Sequence, residues 1–290
     1  MRKTGRLLGT ALAVTLAATG CRAGGEAVPN PDKSAHPGLL VLKMGELALP
    51  DSLPAGVRRQ LTSIYSIRLE GKNTQFATAI KLGDTLRSVA HVYTKAGSCG
   101  DLKVEGRTAA GQARTTRAIG NVGIAHSGND DASVTQLKNA SYINDMPNAH
   151  ISPSARTQNP GDVEYFAGYG LTSSGDVRNI NNPAIYPGIV VGRDTEGHVL
   201  YLTRLPKSYG GDEKETRGAM SGAPVLSAAG VEGMVNGYRD YTVDDLERTF
   251  VDLDIRGMAG DEKMQLTYVT TMGSADMDRA TQNLRPLPQC

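Results

Sequence analysis

The sequence predicts an all-β protein built from many short strands, and two observations support that class. The 290 residues include 34 Gly and 14 Pro but only 3 Phe and no Trp, a balance typical of a chain with many turns. From residue 63 onward, short apolar stretches alternate with Gly, Asn and Asp, which is the pattern of strands joined by turns. The hydrophobic fraction of 39% is sufficient for a buried core in a chain of this length.

The predicted strands form two series of similar size, which favours two barrels or half-domains. The first series covers residues 63–69, 75–81, 85–90, 102–104, 118–124 and 132–137, and the second covers 163–169, 188–192, 198–204, 223–226, 230–238 and 265–271. Residues 274–284 are predicted to form a closing C-terminal helix with Met277 and Leu284 on one face. Residues 39–49 are either a strand or a packed arm.

The first 21 residues have the features of an export signal. Three basic residues precede an apolar stretch at 7–18 that is too short for a standard membrane-spanning helix. The stretch ends in Ala-Thr-Gly before Cys21, which is typical of a bacterial lipoprotein cleavage site with Cys21 as the lipid-bearing residue. An ordinary signal peptide with an incidental cysteine is the alternative. Both interpretations predict an exported protein, and the first adds a membrane anchor.

The domain organisation follows from these patterns. Residues 1–21 are the signal, and residues 22–60 are a tether, rich in Gly and Pro at its start, followed by an N-terminal arm. Residues 61–150 are expected to form the first barrel, and residues 151–290 the second barrel with the C-terminal helix.

Charge and residue spacing exclude several classes of ligand. The net charge is +1 and the basic residues are scattered, so no nucleic-acid partner is expected. No spacing typical of a metal site occurs, so we expect neither metal nor cofactor. Cys99 and Cys290 either form a disulfide, which export would permit, or remain two thiols. His198 is expected at a strand edge, and the acidic residues 244–247 on a solvated surface.

Three side chains in chain order predict a nucleophilic site. Ser221 lies among small residues in Gly-Ala-Met-Ser-Gly-Ala-Pro, where its hydroxyl can stand clear of the backbone. A serine hydroxyl needs a base to take its proton, and His91 follows an apolar strand. A carboxylate must then orient the imidazole, and the pair Asp130-Asp131 opens another predicted strand.

These motifs together resemble the trypsin-like, chymotrypsin-fold serine peptidases, in particular exported bacterial members. Ala219-Met220-Ser221-Gly222-Ala223-Pro224 is similar to the family's active-serine motif, and Ser88-Val89-Ala90-His91 to its histidine motif. Segments at 131–137, 161–170 and 230–237 are similar to further elements in the family's order, so the resemblance covers roughly residues 60–285. It implies two antiparallel, six-stranded Greek-key barrels with the active site between them.

The resemblance implies a role for each matching residue. Ser221 would be the nucleophile, His91 the general base and acid, and Asp131 the orienting carboxylate. Asp130 competes with Asp131, which is preferred because Leu137 then falls where the family's strand has an aliphatic residue.

Backbone groups and a pocket complete the site that the resemblance implies. The N–H groups of Ala219 and Ser221 would form the oxyanion hole. The substrate pocket would have its floor near Glu215 and its wall at Asn236, Gly237 and Tyr238. The function implied is an exported endopeptidase that acts on proteins or peptides without a cofactor.

Two departures from the family keep other functions open. Ala219 stands where the family has glycine, which favours the alternative of a catalytically weak or inactive relative that binds peptides or a protein partner. Met220 replaces the aspartate of zymogen-activated members, so activation through a freed N-terminus is not expected. An esterase of another fold is a third possibility, but residues 219–223 lack the outer glycines of its Gly-x-Ser-x-Gly motif.

Overall fold

A computed structural model describes residues 40–43, 50–71, 75–96, 100–107, 113–125, 132–138, 148–149, 157–169, 183–203, 220–272 and 275–286. The strands are β1 Leu40–Lys43, β2 Ile64–Gly71, β3 Gln75–Leu82, β4 Thr85–Ser88, β5 Gly100–Arg107, β6 Ala113–Ala125, β7 Ala132–Lys138, β8 Val163–Gly168, β9 Ala184–Arg193, β10 Val199–Thr203, β11 Pro224–Leu226, β12 Val231–Thr242, β13 Leu253–Arg256, β14 Lys263–Thr271 and β15 Arg285–Pro286. The α-helices are α1 Ala55–Gln60, α2 His91–Ala96, α3 Val243–Thr249 and α4 Ala275–Gln282, and a 3₁₀ turn covers Leu61–Ser63.

The first barrel is formed by β2 to β7, all paired antiparallel. Its strand order is β6-β5-β2-β3-β4-β7, and β6 also pairs with β7, so the ring closes on itself. Strand β5 returns to lie beside β2 after the β2-β3-β4 meander, which is the Greek-key arrangement. Alternate side chains of each strand point inward, and a core that includes Tyr65, Ile67, Ala77, Ala79 and Val104 fills the barrel.

The second barrel is a closed ring in the order β10-β14-β12-β11-β8-β9. Here β11 returns beside β8 after the β8-β9-β10 meander, so the Greek key is repeated. Three aromatic rings fill its centre: Phe166 stacks on Tyr186 with centroids 5.3 Å apart and meets Tyr201 edge-on at 5.2 Å. A Cβ at Gly188 would lie 2.4 Å from the Phe166 ring, so glycine is required for this packing.

Each end of the described chain packs on the barrel that is more distant in sequence. The N-terminal strand β1 pairs in parallel with β13 and buries Leu42 against the second barrel. The C-terminal helix α4 packs on β6 and β7 of the first barrel, and β15 adds to the edge of β6. A Cβ at Gly123 would lie 1.7 Å from the Ala280 carbonyl oxygen, so the helix approaches β6 at backbone distance.

The strand orders confirm the predicted all-β class, the two six-stranded Greek-key barrels and the C-terminal helix. Of the two interpretations of residues 39–49, a strand is present at Leu40–Lys43. The predicted strand at 85–90 ends earlier, at Ser88, and the chain turns into α2 at His91. No helix among the described residues is long and apolar enough to cross a membrane.

The acidic residues 244–247 were expected on a solvated surface, but they belong to helix α3. Thr242 is the N-cap of this helix: its hydroxyl accepts from the Asp245 N–H and donates to the Asp245 carboxylate. Asp244 and Asp245 lie in the first turn, where the helix dipole favours negative charge. Leu246 is fully buried, so only part of this stretch faces solvent.

Candidate active site

Ser221 lies at the second position of a tight turn from Met220 to Ala223. The Ala223 N–H donates to the Met220 carbonyl at 2.9 Å, and Gly222 has φ +77°, the left-handed conformation that glycine adopts at the third position of such a turn. Met220 is buried in the core of the second barrel, and the Gly222 N–H donates to the Val235 carbonyl of β12 at 2.8 Å. The turn is therefore fixed to the second barrel on both sides of the serine.

The first barrel contacts the other side of the same turn. The Thr78 N–H of β3 donates to the Ser221 carbonyl at 2.9 Å. A Cβ at Gly222 would lie 2.2 Å from the Ser88 hydroxyl oxygen and 2.3 Å from the Thr78 carbonyl oxygen. Only glycine leaves room for this contact, so the serine turn is part of the interface between the barrels.

His91 is positioned by buried residues on both sides of it in sequence. Val89 and Ala90 are fully buried, and the Ser133 hydroxyl of β7 donates to the Val89 carbonyl at 3.0 Å. Helix α2 begins at His91 and buries Val92 and Tyr93 in the first-barrel core. Burial raises the pKa of Tyr93 to about 12, and its hydroxyl is hydrogen-bonded to that of Thr135.

The two barrels bring the predicted base and nucleophile together. The Nε2 atom of His91 lies 2.9 Å from the Oγ atom of Ser221, although the residues are 130 positions apart in sequence. Both side chains are only partly buried. This is the distance that proton transfer from a serine hydroxyl to an imidazole requires.

Several predicted site residues lie outside the described part of the chain. These are Asp131 and its competitor Asp130, the oxyanion residue Ala219 and the pocket-floor residue Glu215. Cys21, Cys99 and Cys290 also lie outside it, so the lipid anchor and the disulfide remain predictions.

The predicted pocket wall follows directly after the strand segment that holds the serine turn. Val235 accepts a hydrogen bond from the Gly222 N–H and donates one to the Ala223 carbonyl. The next residue, Asn236, is the extra residue of a β-bulge, which lies between the Val235–Val269 and Gly237–Tyr268 pairs. A Cβ at Gly237 would meet no described atom within 4 Å. Tyr238 has 40% of its surface exposed, so this part of β12 faces open space.

The sequence predicts His198 at a strand edge; it lies directly before β10, and only 5% of it is exposed. Its Nδ1 atom lies 2.8 Å from the Asp194 carboxylate, and its Nε2 atom lies 3.4 Å from the amide nitrogen of Asn236. His198, Asp194 and Glu196 are the one group among the described residues whose ligand atoms lie close enough to hold a metal ion. The sequence signal for this group is the Asp-Thr-Glu-Gly-His turn at 194–198, in which the Asp194 carboxylate accepts from the backbone N–H of His198.

A cavity of about 370 Å³ lies away from these residues, between α1 and the turn that joins β11 to β12. It is lined by Gly56, Arg59, Gln60, Asn148 and Ala228. It includes neither His91 nor Ser221, so it is separate from the candidate active site.

No protein-family model matches the sequence, and the search of curated proteins found no match. Solved structures do match. Human heparin binding protein is 16% identical, with a TM-score of 0.49 over 82% of this chain and 98% of that chain. The catalytically active tobacco etch virus protease complexed with product is 9% identical, with a TM-score of 0.49 over 83% and 86% of the two chains. A scabies mite inactivated protease paralogue, S-D1, is 12% identical, with a TM-score of 0.48 over 78% and 96%.

The structures that match are trypsin-like, chymotrypsin-fold serine proteases and their relatives. They include both a catalytically active and an inactivated protein. At this level of identity a common fold does not decide activity, which depends on the residues of each site.

Proposed function

We propose that this protein is an exported serine endopeptidase. The observation that carries the proposal is the 2.9 Å approach of the His91 Nε2 atom to the Ser221 Oγ atom across the barrel interface. This pairing is the arrangement by which a base activates a hydroxyl nucleophile.

In the proposed reaction, the Ser221 oxygen attacks the carbonyl carbon of a peptide bond while His91 Nε2 accepts the hydroxyl proton. The resulting oxyanion would be stabilised by the backbone N–H groups of Ser221 and Ala219. His91 then gives its proton to the leaving amine, which breaks the C–N bond and leaves an acyl-enzyme. Water, deprotonated by His91, hydrolyses the ester and restores the serine hydroxyl.

We assign the orienting carboxylate to Asp131. Support comes from the strand register: Ser88, three residues before His91, pairs with Ser133, two residues after Asp131. Just past that pair the Ser133 hydroxyl donates to the Val89 carbonyl at 3.0 Å, so the residues that lead to His91 lie beside the start of β7 at Ala132. An Asp131→Asn variant should lose most of the turnover, whereas Asp130→Asn is the matched control and should keep it.

The substrate is proposed to be a protein or peptide that lies along β12. Asn236, Gly237 and Tyr238 would form the wall of its side-chain pocket, and Glu215 would lie near the floor. An acidic floor favours substrates with a basic side chain. Cleavage of peptide libraries by wild type and by Glu215→Gln tests this preference. If Glu215 lies at the floor, the preference for a basic side chain should weaken in Glu215→Gln, which lacks the negative charge.

The direct test of the proposed function is covalent labelling of the folded protein by a fluorophosphonate probe. We expect labelling at Ser221, and we expect loss of labelling and of peptide hydrolysis in Ser221→Ala and in His91→Ala with an unchanged melting temperature. Ser52→Ala is a suitable control, because that serine is exposed and its hydroxyl accepts from Arg58 rather than from a residue of the candidate site. A wild-type protein that the probe does not label would instead support the binding-protein alternative.

Export and a lipid anchor at Cys21 are proposed from the N-terminal sequence. A cell that expresses the full chain should incorporate labelled fatty acid into the wild type but not into Cys21→Ser. If both proteins are exported but carry no fatty acid, residues 1–21 are an ordinary signal peptide. If the protein stays inside the cell with residues 1–21 still attached, the export proposal is wrong.

A further inference from the structure

We propose that Asp194 and His198 are positioning residues that hold the Asn236 side chain in the substrate-binding wall. This inference rests on the proposed function, since it assigns Asn236 a role in binding the substrate. The pair lies outside the His91–Ser221 contact and forms a second histidine–carboxylate arrangement in the second barrel.

The Asp194 carboxylate fixes both the backbone and the ring of His198. One carboxylate oxygen accepts from the backbone N–H groups of Glu196 and His198, each at 2.9 Å. The other lies 2.8 Å from the His198 Nδ1 atom. A carboxylate accepts hydrogen bonds and does not donate them, so we assign the hydrogen between the two side chains to Nδ1.

A proton on Nδ1 leaves a lone pair on Nε2 in the neutral imidazole. The group that faces this lone pair is the amide nitrogen of Asn236, at 3.4 Å, and an amide nitrogen can only donate. Nδ1 therefore donates to the Asp194 carboxylate, and Nε2 accepts from the Asn236 amide. The carboxylate selects the tautomer of His198, and the tautomer selects the orientation of the Asn236 amide.

The sheet register explains how these residues meet. Val269 of the central strand β14 pairs with Val199 of β10 on one side and with Val235 of β12 on the other. His198 and Asn236 are each one residue away from this row. The three valines are buried in the barrel core, and beside them the side chains of His198, before Val199, and Asn236, after Val235, meet across β14.

The position of Asn236 in the chain connects this arrangement to the candidate active site. Val235, the preceding residue, holds Gly222 and Ala223 of the serine turn through two backbone bonds. The β-bulge at Asn236 interrupts the regular alternation of side chains along β12. His198, of which 5% is exposed, contacts the Asn236 side chain beside this bulge.

Steady-state kinetics on peptide substrates test the role. His198→Leu removes the acceptor, and we expect KM to rise about fivefold, the effect of one lost hydrogen bond, while kcat stays within about twofold. His198→Gln can donate to Asp194 and accept from Asn236, so we expect it to restore most of the loss. Glu196→Gln is the control: it removes a charge 3.9 Å from the His198 Nδ1 atom but keeps the Asp194 bond, and should leave KM unchanged.

Nitrogen-15 NMR of the full chain tests the same contacts without any activity. We expect the Nδ1–H tautomer of His198 in wild type at neutral pH, and movement of the Asn236 side-chain amide signals in His198→Leu but not in Glu196→Gln. The positioning contact is overturned if His198 is the Nε2–H tautomer, or if the Asn236 side-chain amide signals keep their wild-type positions in His198→Leu. An unchanged KM in His198→Leu, with wild-type turnover measurable, overturns its role in binding.

The two proposals fail in different ways. If the wild type neither hydrolyses peptides nor reacts with the probe, the proposed function fails and the binding role of Asn236 fails with it. If the probe labels Ser221 but the NMR signals contradict the contact, only the positioning role is rejected.

Discussion

Replacing Gly222 by alanine should disrupt both the barrel interface and the serine turn. The φ of +77° at this position is one that alanine adopts with strain, at about 1–2 kcal/mol. The added Cβ would also lie 2.2 Å from the Ser88 hydroxyl oxygen, which donates to the Thr78 carbonyl at 2.7 Å in a buried hydrogen bond. Breaking that bond while its atoms stay buried costs a further ~1–3 kcal/mol.

The expected loss in the free energy of unfolding is therefore about 2–5 kcal/mol. The chain offers a matched control in Gly83, which has φ +61° but no described atom within 4 Å of the position that an added Cβ would take. Gly83→Ala should show the strain alone, about 1–2 kcal/mol. The difference between the two variants isolates the contact between the barrels.

Urea unfolding measures both variants, since a change in midpoint at constant slope reports stability. Fluorophosphonate labelling should also slow in Gly222→Ala and stay at the wild-type rate in Gly83→Ala, because only the former displaces Ser221. If the two variants lose the same stability and label equally fast, the barrels do not meet at Gly222 as described.

Two further predictions concern stability. Because burial raises the pKa of Tyr93 from 10.0 to about 12, the stabilisation from its neutral hydroxyl is complete below pH 10 and is lost as the pH rises towards 12. Tyr93 should account for roughly 2–3 kcal/mol of the stability that the wild type loses over that interval, so the fall in Tyr93→Phe should be smaller by about that amount; equal slopes in urea titrations at several pH values would contradict this. Thr242→Ala should lower the free energy of unfolding by ~1 kcal/mol because α3 loses its N-cap, and Thr242→Ser should retain most of it, so equal losses in both variants would argue against the cap.

The positions of the strands were predictable because they depend on local patterns. Alternation in stretches such as Gln75–Leu82, together with the turn residues around Gly83, identifies strands without knowledge of their partners. The strand expected at 85–90 ends at Ser88 because its pairing with β7 stops there, and that end depends on a partner more than 40 residues away. Helix α3 did have a local signal: Thr242 followed three residues later by Asp245 is a capping pattern.

Other features depend on contacts that no local pattern encodes. The parallel pairing of β1 with β13 joins residues more than 200 positions apart, and the packing of α4 on the first barrel also requires the folded structure. In the candidate site, motifs identify His91 and Ser221, but the sequence alone places His198 at a strand edge. Its contact with Asp194 is local to the turn at 194–198, whereas its contact with Asn236 crosses β14 and depends on the sheet register.

The placement of β1 and α4 has a consequence for how the two barrels are joined. The chain passes from one barrel to the other three times: between β1 and β2, between β7 and β8, and between β14 and α4. At two of these crossings the segment that reaches the other barrel is held there, by the pairing of β1 with β13 and by the packing of α4 on β6 and β7. Each barrel thus holds a segment of the chain that leads to the other, so the two barrels are joined near both ends of the described chain as well as by the connection between β7 and β8.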